Sequence, residues 1–176
     1  LIVGADLHVL DPHDEERHHE LCLLAQNETG YRNLMLLLSL SYQQGQHLGR
    51  PRVTQAWVKE YAEGVIALSG GRQGDIGQAL LNGREADART ALTQWQCCFP
   101  DRFYLELQRT GRAGEEDYLH AAVALATECS CPVVATNDVR FLEADEFEAH
   151  EARVCIGDGR TPVSYTHLTL PTTLQV

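Results

Sequence analysis

Apolar residues along this chain fall in short runs separated by longer stretches of mixed character, and the spacing inside each stretch predicts its element. Leu1–Val3 and Leu21–Ala25 are continuous apolar runs of buried-strand length. The polar stretch His8–Glu20 between them, with His8, His13, His18 and His19, predicts a loop or a hairpin. From Tyr31 to Gln44 the residues Leu34, Leu37, Leu38 and Ser41 share one helical face, and Gly45 supplies a stop. Thr54 is placed to cap a short helix running to Tyr61. Gly64–Ser69 reads as the next buried strand, and Gly70–Asp75 turns the chain into a helix over Ile76–Leu81. A further helix over Glu85–Cys97 stops at Phe99-Pro100, because proline pushes the residue before it out of helical geometry. Arg102–Gln108 alternates as a strand. Glu115-Glu116-Asp117 opens a helix to Cys129, its acids lying at the positive end of the helix dipole. Pro132–Thr136 predicts a strand and Glu143–Ile156 a last helix.

Strands alternating with helices predict βα units and a mostly parallel sheet, an α/β fold. Such sheets gather their chemistry at the C-terminal ends of strands. Those ends are Gly4-Ala5-Asp6, Gln26-Asn27, Ser69-Gly70-Gly71, Gln108–Gly111 and Thr136-Asn137-Asp138. Gly, Asn and Asp also make ordinary turns after strands, so position alone does not separate a ligand from a turn.

Composition narrows the classes. Against 14 Lys and Arg stand 25 Asp and Glu, a net charge of −11. That balance argues against a main nucleic-acid surface, since phosphate binding needs clustered basic residues. With 176 residues, 44 % of them hydrophobic, the chain can bury a core as one domain. No apolar run approaches the roughly 18 residues that span a bilayer, and no basic segment followed by an apolar one opens the chain, so no membrane is expected among its partners. The six cysteines, at 22, 97, 98, 129, 131 and 155, lack zinc-finger spacing and read as reduced thiols of a cytoplasmic protein. Residues 161–176 hold five Thr and no Asp, Glu, Lys or Arg. This break in composition reads as foreign sequence, leaving one domain over residues 1–160. The chain opens on an apolar run without Met and reads as a fragment.

Eight histidines invite a metal reading. His18-His19-Glu20 before a strand and Asp138 after one suit Zn or Mn, and carboxylates alone suit harder ions. No H-E-x-x-H or H-x-H spacing supports it. Gly70–Gly74 lacks the Lys-Ser/Thr of a P-loop and the G-x-G-x-x-G pattern, and Ser69 is not in a G-x-S-x-G elbow. The residues by themselves lead to an acidic α/β domain with a candidate ligand cluster and no decisive motif.

Four strings carry more when taken together: Leu-Leu-Ala-Gln-Asn-Glu-Thr-Gly-Tyr-Arg-Asn-Leu (23–34), Leu-Ser-Gly-Gly-Arg-Gln-Gly-Asp (68–75), Phe-Tyr-Leu-Glu-Leu-Gln-Arg-Thr-Gly-Arg (103–112) and Pro-Val-Val-Ala-Thr-Asn-Asp-Val-Arg-Phe-Leu (132–142). In this order and spacing they resemble the polymerase-and-histidinol-phosphatase (PHP) family, in the branch at the N-terminus of bacterial DNA polymerase III alpha subunits. The resemblance covers residues 1–160. It implies a distorted (β/α)7 barrel, incomplete here because the chain begins near the third strand. Intact members bind two or three metal ions and hydrolyse phosphoesters or excise 3′ nucleotides.

Carried over position by position, the family's metal site is degraded. The glutamate after the third strand matches Asp6, and the histidine before Leu-Leu-Ala matches Glu20, with His18 and His19 beside it. A cysteine position matches Gly71, which offers no side chain. Asp138 is kept, but Arg140 stands where the family has histidine. A guanidinium stays protonated and cannot donate a lone pair to a cation, so Arg140 is expected to occupy the site and pair with Asp138 or Asp6. The vestigial metal set is thus Asp6, His19, Glu20 and Asp138, with no catalytic residue in the fragment and no divalent metal, or a weakly held one. The resemblance implies a scaffold that docks the proofreading exonuclease subunit and works with other polymerase III holoenzyme subunits. DNA, deoxynucleotides and Mg²⁺ would be handled by parts of the parent polymerase outside this chain. The alternatives left open are a working metal-dependent phosphoesterase or 3′–5′ exonuclease, using Asp6, His18 or His19, Glu20 and Asp138, and a stand-alone metabolic phosphatase.

Overall fold

Two long strands, β1 (Gly4–Asp11) and β2 (Asp14–Ala25), open the fold as an antiparallel ribbon in a computed structural model that describes residues 1–12 and 14–159. The polar stretch between the expected strands is therefore a hairpin. The first strand lies later than expected, because Leu1–Val3 precede β1 and contribute only the Val3 carbonyl, which accepts from Ala25 N–H at 2.8 Å. Residues 161–176, the expected foreign tail, and His13 lie outside the described residues.

Helix α1 (Glu28–Gln43) follows, capped by Asn27, whose side-chain oxygen accepts from Gly30 N–H at 2.9 Å. Of the predicted face, Leu34, Leu37 and Ser41 are buried and Leu38 is half-buried, and Gly30 is buried beside them. A small ribbon of β3 (Gln46–His47) and β4 (Arg50–Pro51), too short for a periodicity to reveal, leads to α2 (Gln55–Glu60), which Thr54 caps. Then come β5 (Val65–Leu68), a 3₁₀ turn at Gly71–Gln73, α3 (Asp75–Leu81), α4 (Glu85–Cys98), β6 (Phe103–Gln108), α5 (Glu115–Glu128) and β7 (Val133–Thr136). The predicted last helix is a 3₁₀ turn at Ala144–Glu146 continuing into α6 (Phe147–Asp158).

Five strands form one sheet in the order β1-β2-β5-β6-β7. Pairing is antiparallel from β1 to β5 and parallel from β5 to β7, so β2 alone runs against the other four. The sheet is mixed and mostly parallel, and it is open, with β1 and β7 as edges; no barrel closes among the described residues, for which the resemblance implies an incomplete one. Residues of α1 to α5 join a single apolar core with Leu7, Val9, Leu21, Leu23, Val65, Ala67, Phe103 and Leu105 of the strands. Because side chains alternate along a strand, the helices cover one face of the sheet and leave the other to Asp6, Glu20, Cys22 and Glu106. Trp95 anchors α4 to the sheet, its ring stacked on Phe103 with centroids 6.2 Å apart. No helix among the described residues is long and apolar enough to cross a membrane.

Candidate functional site

The register of the ribbon decides which predicted residues can meet. Asp6 lies opposite Cys22 and His8 opposite Glu20, and Cys22 in turn lies opposite Leu68, the last residue of β5. Asp6, Glu20 and Cys22 therefore share the face turned away from the core, level with the C-terminal end of β5. His19 stands one residue from Glu20 and so on the opposite face. There its Nε2 lies 3.4 Å from Asp11 Oδ2, and its charge bears on the carboxyl of Asp75, beneath the helices. His18 shares the face of Glu20 but meets His8, the two rings edge to face with centroids 4.7 Å apart. Burial lowers its pKa, and His8, Arg50 and Arg52 add to the effect.

Asp6, Glu20, Glu106, Asp138 and Arg140 form one electrostatic cluster. Burial raises the pKa of Glu20; Asp6 raises it further, Arg140 opposes, and Asp138 and Glu106 add to the rise. The same surroundings act on Cys22, whose thiol is pushed up to about 12 by burial, by the charge of Asp6 and by a hydrogen bond with Asp6.

Asp138 follows β7 and is held by two guanidinium groups. Arg112 Nη2 lies 2.7 Å from its Oδ2 and Arg140 Nε lies 2.7 Å from its Oδ1. Of the two carboxylates expected as partners of Arg140, Asp138 is the one it meets. The Asp138 side chain is 15 % exposed, against 54 % for Arg112. Burial by itself would raise the Asp138 pKa, but the hydrogen bond from Arg112 and the charge and hydrogen bond of Arg140 hold it below the usual carboxylate range.

Glu106, which sequence reasoning missed, is only 6 % exposed. Its carboxylate accepts from Gln108 Nε2 at 3.1 Å and from the Thr136 hydroxyl. Its backbone N–H donates to Ser69 Oγ at 2.9 Å, and its carbonyl accepts from the Tyr118 hydroxyl at 2.7 Å. An acid inside an alternating apolar strand was the signal available. Gly71 has a φ of 55°, and a Cβ there would reach no closer than 3.7 Å to Gln108. Space for a side chain exists at that turn; only the left-handed backbone resists one.

Arg112, the other residue missed, sits in a loop whose Gly111 reads as turn chemistry. The loop is organised by Glu115, the first residue of α5. Its carboxylate accepts from the backbone N–H groups of Thr110 at 2.7 Å, Gly111 at 2.8 Å and Arg112 at 3.1 Å, and from the Thr110 hydroxyl. Burial opposes ionisation of Glu115, but these hydrogen bonds prevail and lower its pKa.

The residues present do not fit the metal centre that the resemblance implies. Both oxygens of Asp138 are engaged by guanidinium groups, Gly71 brings no donor, and His19 faces the core. Among the described residues no group of three or more His, Cys, Asp and Glu side chains is arranged to hold a metal ion. What the arrangement can do is bind itself: two cations from different elements neutralise a carboxylate at the rim of an acidic face.

A family model described as PHP domain matches residues 1–110. The DNA polymerase III subunit alpha of Pseudomonas aeruginosa is 52 % identical over 160 residues, 91 % of this chain and 14 % of that protein. The DNA polymerase III subunit alpha of Escherichia coli K12 is 52 % identical over 161 residues, and that of Haemophilus influenzae 50 % over 160, with the same coverage of each chain. The chain thus spans about one seventh of the length of these curated relatives, 14 %.

Proposed function

The chain belongs to the PHP domain family, and on that footing we propose that it is part of a replicative DNA polymerase III alpha subunit, where it serves as a catalytically silent scaffold. The observation that carries this reading is the clamp on Asp138. A guanidinium delivers positive charge to a carboxylate without any lone pair for a cation. Here two of them, Arg112 and Arg140, take the oxygens that a metal ion would need. Charge neutralisation at the rim is then internal to the fold, and hydrolysis loses the ion that would polarise a phosphoester and activate water.

In this role the domain is a partial (β/α)7 barrel over residues 1–160 with β1 and β7 as its open margins, and residues 161–176 are foreign to it. It offers a docking surface to the proofreading exonuclease subunit within the holoenzyme, in the cytoplasm. DNA-directed DNA synthesis, with its Mg²⁺, belongs to the portion of the polymerase outside this chain.

The second reading, a metal-dependent phosphoesterase or 3′–5′ exonuclease, draws on the crowding of Asp6, Glu20, Glu106 and Asp138, since unneutralised carboxylates attract a cation. Metal analysis separates the two. After equilibration with Zn²⁺ or Mn²⁺ and gel filtration, the chain and the full alpha subunit should retain substoichiometric metal in this domain, and the chain should release no product from a 3′-labelled oligonucleotide. Two or more tightly held ions per domain would replace the scaffold reading with the hydrolase. Titration calorimetry with the purified exonuclease subunit tests the docking role, which fails if the full alpha subunit binds it equally well without this domain.

A further inference from the structure

A single buried carboxylate organises the loop that carries Arg112. Glu115 is 3 % exposed. Three successive backbone N–H groups, of Thr110, Gly111 and Arg112, converge on its Oε2, and the Thr110 hydroxyl occupies Oε1. Gly111 and Gly114 bracket Arg112 with φ values of 82° and 77°, conformations that leave the loop many alternatives once its hydrogen bonds are lost. Arg112 leaves this wrapped loop towards Asp138, 26 residues further along the chain. The neighbouring Arg109 instead pairs with Glu116 of α5, Nε to Oε1 at 2.7 Å.

Beyond β7 the chain makes several contacts within itself. Phe141 meets Phe147 and His150 with ring centroids 5.9 and 5.6 Å apart. The carboxylate of Glu146 accepts from the backbone N–H groups of Leu142 and Glu143. Arg140, the second partner of Asp138, comes from this same segment, so Arg112 is the half of the clamp that ties it to another element.

We propose that Glu115 is a positioning residue: its carboxylate holds the Thr110–Arg112 loop in the conformation that brings Arg112 to Asp138, and so latches the segment after β7 to the body of the domain. A carboxylate suits the task because both oxygens only accept. An amide would turn its own N–H groups towards some of the loop's donors, so Glu115→Gln can restore the arrangement only in part. The inference rests on the clamp reading above and adds the residue that sets it.

Hydrogen exchange of the complete 176-residue chain, compared among Glu115→Ala, Glu115→Gln, Arg112→Ala and the double variant Glu115→Ala/Arg112→Ala, tests it. Glu115→Ala should speed exchange across residues 110–112 by about tenfold. It should also speed exchange across residues 137–142 to the level of Arg112→Ala, with Leu105 and Ile76 unchanged. The double variant should be no faster at residues 137–142 than Arg112→Ala alone, and Glu115→Gln should fall between Ala and wild type. If Glu115→Ala does not fold, Glu115→Gln decides: wild-type rates at residues 137–142 with faster rates at residues 110–112 overturn the proposal. It is overturned likewise if Arg112→Ala frees residues 137–142 while Glu115→Ala does not. Should Arg112→Ala itself leave residues 137–142 at wild-type rates, the clamp reading falls first and the inference with it.

Discussion

Two acids that open helices, Asp75 at the start of α3 and Glu115 at the start of α5, respond to pH in opposite senses. Burial raises the pKa of Asp75, although Trp95 Nε1 donates to its Oδ2 at 2.7 Å. An acid with a raised folded pKa contributes most below its unfolded value, near 3.9, and that contribution is lost as pH rises through the folded pKa. Glu115, with a lowered pKa, contributes above its unfolded value, near 4.3, and loses that contribution as pH falls through the folded one. Asp75→Asn should therefore weaken the loss of stability on going from about pH 4 to about pH 7. Glu115→Gln should flatten the acid limb instead. Urea midpoints across that range check both, and a parallel response of the two variants would contradict these surroundings. The residue scale is also where sequence reasoning stopped short. The polar stretch His8–Glu20 shows no alternation that assigns faces, so the sequence sets His19 beside Glu20, although one step along β2 turns their side chains to opposite faces of the sheet. Arg112 was invisible because its contact is made to a residue distant in sequence, through a loop that reads only as a turn.

At the scale of elements, most boundaries were legible because periodicity, caps and stops agreed. Asn27 shows why one recognised string is as it is. Its side chain caps α1, and Gly30 lies so close to the chain before β5 that a Cβ there would stand 1.8 Å from the Gly64 carbonyl oxygen. Helix and strand are thereby docked backbone to backbone. Asn27→Ala should cost about 1 kcal/mol. Gly30→Ala must push α1 off the sheet and should cost about 3 kcal/mol, at the upper end for overpacking. Thermal or urea unfolding of the two variants measures the difference, and equal costs would argue against the close docking. The β3–β4 ribbon is hidden because two-residue strands carry no periodicity, and the first half of β2 because Asp14–Glu20 is polar on both faces and so shows no alternation.

For the whole molecule, charge and layering make separate statements. A net charge of −11 and a face bearing the exposed carboxylates of Asp6 and Glu20 disfavour contact with a phosphate backbone. The chain should show no measurable affinity for single- or double-stranded DNA near physiological salt by fluorescence anisotropy; submicromolar binding would contradict this. The α/β class followed from the alternation of strands and helices and the family from four strings read in order, whereas the pairing of β1 and β2 into one long ribbon did not, because a polar stretch carries no local pattern that fixes it. The thiols report on this same layering. Cys97 is exposed on α4, while Cys22 is held as the protonated thiol, at about 12, by its burial beside Asp6. A brief iodoacetamide pulse at mildly alkaline pH should alkylate Cys97 and spare Cys22, as peptide mass mapping would show; equal modification would refute that protection. Cys22 thereby becomes an internal gauge, silent while the ribbon stays seated on β5 and reactive once it lifts.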